Sequence, residues 1–315
     1  MPRTAPRRPG APTPDRPSLP AAVRYDPERR TELRARTRDD DLVRLRRGVY
    51  LPPADASLPF PVRRRAHVLA HMTAVTERLT TAYWFSHTSA AVAWGCWTWR
   101  LSPQVHVTQL TRPAPGPPDD VLRRHVAPVP GGDRDVLDGV PVTSLGRTVV
   151  DCARLLPEAS SIVVADSALA LGADPDELTE RLDRSGGARG VRRARRVLAA
   201  ADGASESPLE SLVRWQLLTA GLPRPVHAAP VETWAGTFWV DLAWPDLKVA
   251  VEVDGAVKYD GRSGDPQQIL LAEKRRHDAL VEAGWTILRV TFADLQDVRR
   301  LVARVEQALR AARSR

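Results

Sequence analysis

Lysine is almost missing from this chain. Of 46 cationic residues only three are lysine, Lys248, Lys258 and Lys274, and all lie in or near one stretch, VAVEVDGAVKYD. Cysteine is nearly as scarce. Cys96 and Cys152 stand far apart without a His or Cys partner at metal-ligand spacing, which excludes a disulfide framework and a cysteine-based zinc site and leaves two small buried hydrophobes. Long apolar runs are also lacking. Nothing approaches the length of a membrane span, and the basic N-terminus MPRTAPRRPGAPTPDRPSLP is not followed by an apolar segment, so a soluble, cytoplasmic protein without a membrane partner is expected. Acids are outnumbered, 38 against 46, for a net charge of +8. That balance suits a polyanion such as DNA or RNA, although an Arg-, Ala-, Pro- and Val-rich composition is equally what a GC-rich genome would encode.

What is present suffices for two or three domains: 315 residues, 43% of them hydrophobic. Residues 1–24 form a Pro- and Arg-rich tail without apolar periodicity and are expected to be disordered. Residues 25–60 form a partial winged-helix-like segment. In RARTRDDDLVRLRRGVYLPP, Leu42, Val43 and Leu45 would end a recognition helix, Gly48 would turn the chain, and VYL would form the wing, with Arg44, Arg46 and Arg47 aimed at phosphates. Residues 25–36 scarcely supply an earlier amphipathic helix, and a charged hairpin packed on the next domain is the alternative.

Residues 61–200 have the pattern of a mixed α/β domain. Helices are predicted from Val62 to Leu79, across SHTSAAVAWGCW after His87, in the LGRTVVDCARLL and SSIVVADSALALG segments, and from Pro175 to Leu182, while QVHVTQL alternates like a half-buried strand. His87, His106 and His125 share no ligand spacing and are expected to be structural. In GGARGVRRARRVLAAADGAS a basic helix bearing Arg192, Arg193 and Arg196 either tracks a phosphate backbone or presents a solvated face. The small residues near Asp202 to Ser205 mark the domain boundary.

Beyond the boundary, Ser207, Pro208 and Glu210 have the spacing of a capped helix start, which by itself explains Glu210 as a capping-box acid. TFWVDLAWP and LKVAVEVDG follow as two strands joined at Pro245 and Asp246. A two-residue loop there would set Trp244 opposite Leu247 and Asp241 opposite Ala250, with Glu252 its diagonal neighbour and Asp254 on the same face. Like charges so close on an apolar sheet need compensation. Oxygen ligands favour Mg2+ or Mn2+, and Arg275, Arg276 and Arg289 are the metal-free alternative. A helix over EKRRHDALVEAGW, a strand over WTILRVT and a final amphipathic helix complete an α/β sandwich.

SPLES, VDLAWP, VAVEVDG, EKRRHDALVEAGWTILRVT and the final helix together resemble a bacterial domain of unknown function related to the very-short-patch repair endonuclease, a branch of the PD-(D/E)XK nuclease fold, over residues 205–312. RRGVYLPP, SHTSAAVAWG and GVPVTSLGRTVVD are similar to the winged-helix and middle regions of abortive-infection antitoxin-like proteins. The resemblance implies a restriction-endonuclease-like α/β sandwich preceded by a mixed α/β domain and a partial winged-helix segment. It implies a metal held by Glu210, Asp241 and Glu252, with Asp254 where the fold commonly has lysine. It also implies Mg2+-dependent phosphodiester hydrolysis assisted by Lys258 or Lys274, with DNA as the first expected partner and a toxin or other protein as a further one. A non-catalytic DNA-binding regulator of the antitoxin type is the alternative. The family usually carries His after the DG turn; here Lys258 and Tyr259 stand in its place.

Overall fold

The structure is a computed structural model that describes residues 8, 10–112, 114, 119–254 and 266–314. It is an α/β protein that divides into two units. Of the described residues, unit 1 holds those of 14–199, and unit 2 holds those from 200 onward together with residues 8 and 10–13.

Unit 1 begins with β1 (Val23–Arg24), α1 (Arg30–Arg38), β2 (Val43–Arg46) and β3 (Val49–Leu51), whose strands form a three-stranded sheet in the order β1-β3-β2. The helix therefore precedes Leu42 and Val43 instead of containing them. A helix forms over ELRARTR despite weak apolar periodicity because one residue, Leu33, is enough to anchor a single turn, while Glu32 pairs with Arg29 at 2.7 Å and Arg36 at 3.8 Å along its surface. Val49 and Leu51 pack with Ala74 of α2 (Phe60–Thr76), so the hairpin shares a core with the following helix. The predicted tail is also corrected from residue 14 onward: Pro14 is buried, Leu19 packs against the central core, and the Thr73 hydroxyl donates to the Pro20 carbonyl at 2.9 Å.

The larger sheet of unit 1 comprises β4 (Trp84–Phe85), β5 (Val105–Gln109), β6 (Leu122–Val126), β7 (Arg134–Leu137) and β8 (Val140–Thr143), in the order β6-β5-β4-β8-β7. β5 runs parallel to β6, and β4 parallel to β8. α3 (His87–Ala93) follows β4 directly; α4 (Leu145–Leu155), α5 (Glu158–Ala170), α6 (Pro175–Arg184) and α7 (Val191–Ala200) follow β8. Every residue of β5 is buried, so QVHVTQL is a central strand rather than a half-exposed one. Gly95 ends the turn after α3 with φ +91, and a Cβ there would meet the Asp15 carbonyl oxygen at 2.7 Å, so this glycine is required twice over. Both cysteines are free and fully buried, and burial pushes the Cys96 thiol up to about 12.

Unit 2 runs α8 (Pro208–Thr219), β9 (Val226–Thr233), β10 (Gly236–Trp244), β11 (Val249–Asp254), α9 (Pro266–Glu282), β12 (Thr286–Thr291) and α10 (Val298–Arg313). Its sheet has the order β12-β11-β10-β9, antiparallel except for the parallel β11–β12 pair that spans the α9 crossover. Leu209, Val213 and Leu217 of α8 and Leu301, Val305 and Leu309 of α10 pack on Leu242, Val249 and Val251. Leu280 of α9 packs on the other side, against Ala229, Val231, Val240 and Ala250. This is the expected sandwich, helices covering both faces of the sheet.

The strand register differs from expectation by two residues. Trp244 pairs with Val249 and Leu242 with Val251, because Pro245–Leu247 forms a 3-10 turn closed by Lys248 in a left-handed conformation. A shift of two preserves which face each side chain takes, since the pleat repeats every two residues. The pairing of the two strands runs from Trp244 back to Leu242 and stops short of Asp241.

Candidate functional site

Asp241 sits at a break in its strand. Val240 and Ala243 pack toward α9, whereas Leu242 and Trp244 pack toward α8 and α10, so the alternation of side chains fails between positions 240 and 242. On β9 the residue across from it, Ala228, has φ +44, an unfavourable left-handed backbone for a residue with a Cβ. The irregularity frees the Asp241 carboxylate to accept the Val253 N–H at 2.7 Å.

The other acids reach the same end of the sheet from its two sides. Glu210, on the first turn of α8, is buried. Its N–H donates to the Ser207 hydroxyl at 3.2 Å, the Ser207 hydroxyl donates to Oε1 at 2.9 Å, and Oε2 accepts the Glu206 N–H at 2.9 Å. The predicted cap is present. Burial and then the nearby Asp241 charge push Glu210 up to about 8. Glu252, also buried, is raised by burial and by Asp241 and Asp254, against the pull of Arg276 and Arg289. Arg276 lies 2.7 Å from Glu252 Oε1, yet that oxygen has no well-aligned hydrogen bond; the guanidinium donates to the Trp239 carbonyl at 2.8 Å instead. Asp254 is exposed, and so is Lys274 on α9. Lys258 lies outside the described residues. Of the proposed neutralising arginines, Arg275 stacks over Trp234 with its guanidinium carbon 5.3 Å from the ring centre, and Arg289 pairs with Glu252 in the β11–β12 register.

The expected cationic residues scatter. Arg44 and Arg47 are exposed on the β2–β3 hairpin and line a shallow pocket with Tyr25 and Arg78. Arg46 is pinned by Asp119 at 2.6 Å. On α7, Arg193 donates to the Arg154 carbonyl and Arg196 pairs with Glu158, which leaves Arg192 exposed without an ion pair among the described residues. The basic run of α7 is therefore spent largely on holding unit 1 together. Sequence reasoning missed Arg30, Arg34 and Arg38, which lie four residues apart on the exposed side of α1 and, with Arg44 and Tyr50, line one concave surface. Their i, i+4, i+8 spacing was the available signal.

The clearest departure from expectation concerns the histidines. Among the described residues the one group of three metal-ligating side chains gathered within 4.8 Å is His87, His106 and His125. Their sequence separation hid this, because parallel pairing of β5 with β6 is what brings His106 and His125 together. His106 Nδ1 lies 3.0 Å from His125 Nε2, and the His87 and His125 rings stack at 3.8 Å. His87 starts α3 with φ +51 and its Nδ1 meets the Ser86 hydroxyl at 3.0 Å. The Thr108 hydroxyl donates to the Ser86 hydroxyl at 2.8 Å, and the His106 N–H donates to the Ser89 hydroxyl at 2.8 Å. Burial, then neighbouring imidazole or arginine charge, lowers all three: His106 to about 3, His125 to about 4, and His87 well below its ordinary value. All are neutral at physiological pH. His87 and His125 open onto a cavity of about 840 Å³, half of whose lining residues are arginines.

No protein-family model matches the chain. Two uncharacterized proteins of Mycobacterium tuberculosis, from strain CDC 1551 / Oshkosh and strain ATCC 25618 / H37Rv, are each 33% identical over 180 residues, which is 56% of this chain and 65% of theirs. The match thus spans less than two thirds of those relatives' length. The crystal structure of the RV2827C protein from Mycobacterium tuberculosis is similar at a TM-score of 0.37 and 18% identity, covering 67% of this chain and 83% of that one. No helix among the described residues is long and apolar enough to cross a membrane.

Proposed function

We propose that the protein binds nucleic acid, DNA in the first instance, and that unit 2 is a metal-dependent phosphodiesterase of the nuclease type. The observation that carries this reading is a pair of buried carboxylates, Glu210 and Glu252, near Asp241: burial raises both, and the Asp241 charge adds to it in each. Buried carboxylates held this close are destabilising unless a cation relieves them. The donor set suits a hard divalent ion, Mg2+ or Mn2+, and Glu252 Oε1 is a buried oxygen without a hydrogen bond that such an ion would satisfy. Glu210, Asp241 and Glu252 would hold it after their side chains turn toward one another.

The ion would supply Lewis acidity to the phosphate and a more acidic bound water. The remaining work falls to the chain. The Ser207 cap fixes Glu210, and the Val253 N–H fixes Asp241. Arg276 would move from Glu252 toward the phosphate charge; Lys274 and Asp254 are exposed. Arg30, Arg34, Arg38, Arg44 and Arg47, exposed and without ion pairs among the described residues, support a polyanionic substrate.

The second reading, a non-catalytic nucleic-acid-binding regulator of the antitoxin type, is favoured by one observation: Arg276 already neutralises Glu252 without metal. A cleavage assay on single- and double-stranded DNA and RNA with Mg2+ or Mn2+, wild type beside Asp241→Ala, separates the two. Metal-dependent cleavage lost in Asp241→Ala supports hydrolysis; salt-sensitive binding without cleavage, unchanged in Asp241→Ala, supports the regulator.

A further inference from the structure

We infer that His87, His106 and His125 form a binding site for a divalent transition-metal ion whose open coordination position faces the arginine-lined cavity of unit 1 and takes a phosphate-type anion.

The geometry begins with three imidazoles delivered by three different elements, the start of α3, β5 and β6, with one nitrogen of each inside a 4.8 Å group. Tetrahedral ligands about 2.0–2.1 Å from a zinc-like ion lie roughly 3.3 Å apart, so the trio needs only small ring rotations to close. The His106–His125 pair, at 3.0 Å, is already there. Between two neutral imidazole nitrogens there is room for one N–H···N hydrogen bond. One must be the acceptor, and neither gains a carbonyl or carboxylate partner in the exchange. With a metal between them both lone pairs point at a Lewis acid, and each imidazole keeps its proton on the far nitrogen.

The surroundings are built to hold this arrangement. Ser86, Ser89 and Thr108 form a hydroxyl network that fixes His87 and the β5 backbone beside His106, as outer partners of metal ligands do. His87 accepts a left-handed backbone, φ +51, to reach the group, a strained conformation for a residue with a Cβ. Neutral nitrogen donors select Zn2+, Co2+, Ni2+ or Cu2+ over the hard Mg2+ expected at carboxylates.

Three ligands leave a position open, and the open side is cationic. Arg112, Arg123 and Arg189 line the cavity with no ion pair among the described residues, while Arg147 and Arg154 are partly neutralised by buried Asp151 at 2.8 and 3.9 Å. A bare dication is disfavoured in that field. A metal carrying a phosphate-type anion is favoured, because the anion answers the metal and the guanidinium groups together. The site is independent of the acids of unit 2.

Chelator-treated full-length protein titrated with Co2+ tests this, read by visible d–d absorption and by metal content. The expected result is one tightly held Co2+ per chain with the intense absorption of a four-coordinate site having three nitrogen ligands, distinct from weakly absorbing oxygen-bound Co2+, displaced by Zn2+ and shifted by inorganic phosphate. His106→Ala should weaken binding at least a hundredfold. His125→Gln, at a partly exposed position, should do the same with an unchanged circular-dichroism spectrum, while Asp241→Ala retains the full spectrum. Absence of bound Co2+ or Zn2+, Co2+ binding that survives both histidine variants or is lost in Asp241→Ala, and phosphate binding by metal-free protein at unchanged affinity would each overturn the inference.

Discussion

The histidine group of unit 1 and the acidic centre of unit 2 are built by the same means and are charged in opposite ways. In each, three different elements contribute side chains, and burial favours the neutral form. For imidazoles neutrality means losing a proton, so His106 falls to about 3; for carboxylates it means gaining one, so Glu210 rises to about 8. Both groups then present lone pairs at neutral pH, nitrogen in one case and partly protonated oxygen in the other. The lesson is that ligand chemistry, not charge alone, separates the ions the two units would take.

The sharpest way to break this comparison is to exchange the ions. Asp241→Ala should remove at least a hundredfold of Mg2+-dependent cleavage while leaving the intense Co2+ absorption intact, and His125→Gln should do the reverse; crossed effects in a cleavage assay run beside Co2+ spectra would dissolve the distinction.

A smaller effect should appear in stability. A group lowered in the folded state contributes stability above its unfolded value and loses it as pH falls, so unit 1 should weaken from about pH 6.5 toward 3, His106 alone contributing about 2 kcal/mol between pH 6.5 and 5. A raised group behaves oppositely: Glu210 stabilises fully below about 4.5 and loses that contribution as pH rises through about 8. Above about pH 6.5 urea midpoints should fall with rising pH for a unit 2 probe and not for a unit 1 probe, and Glu210→Gln should flatten that limb; below it buried His227, lowered to about 3, makes unit 2 lose stability with falling pH as unit 1 does.

Nucleic-acid binding should report the surface that neither buried group supplies. Each of Arg30→Ala, Arg34→Ala and Arg38→Ala should lower the slope of log affinity against log salt by about 1 if it meets a phosphate. Arg46→Ala, removing an ion pair with Asp119, should leave that slope unchanged and cost at most about 1 kcal/mol of stability in a thermal melt.

Much of unit 2 was legible from the sequence, since the signals were local. Ser207, Pro208 and Glu210 announce the start of α8, and the odd-even pattern of VAVEVD puts Glu252 on a face without its valines. The turn was not legible: Pro245 and Asp246 look like a two-residue loop, but Lys248 takes a left-handed backbone and lengthens it, moving the register by two. In unit 1 the helices were found near their observed bounds, yet α1 was missed because Leu33 alone anchors it. The basic run at Arg192, Arg193 and Arg196 looked like one surface and is divided by partners from distant segments, Arg154 and Glu158.

The sequence by itself determined periodicities, caps and the scarcity of lysine, because these depend on neighbours within a few residues along the chain. The tertiary structure alone decided that His87, His106 and His125 meet, that Asp241 accepts the Val253 N–H, and that Arg276 reaches Glu252. Those distances depend on which strands pair and in which direction, and parallel pairing of β5 with β6 or β11 with β12 joins residues that no local spacing relates.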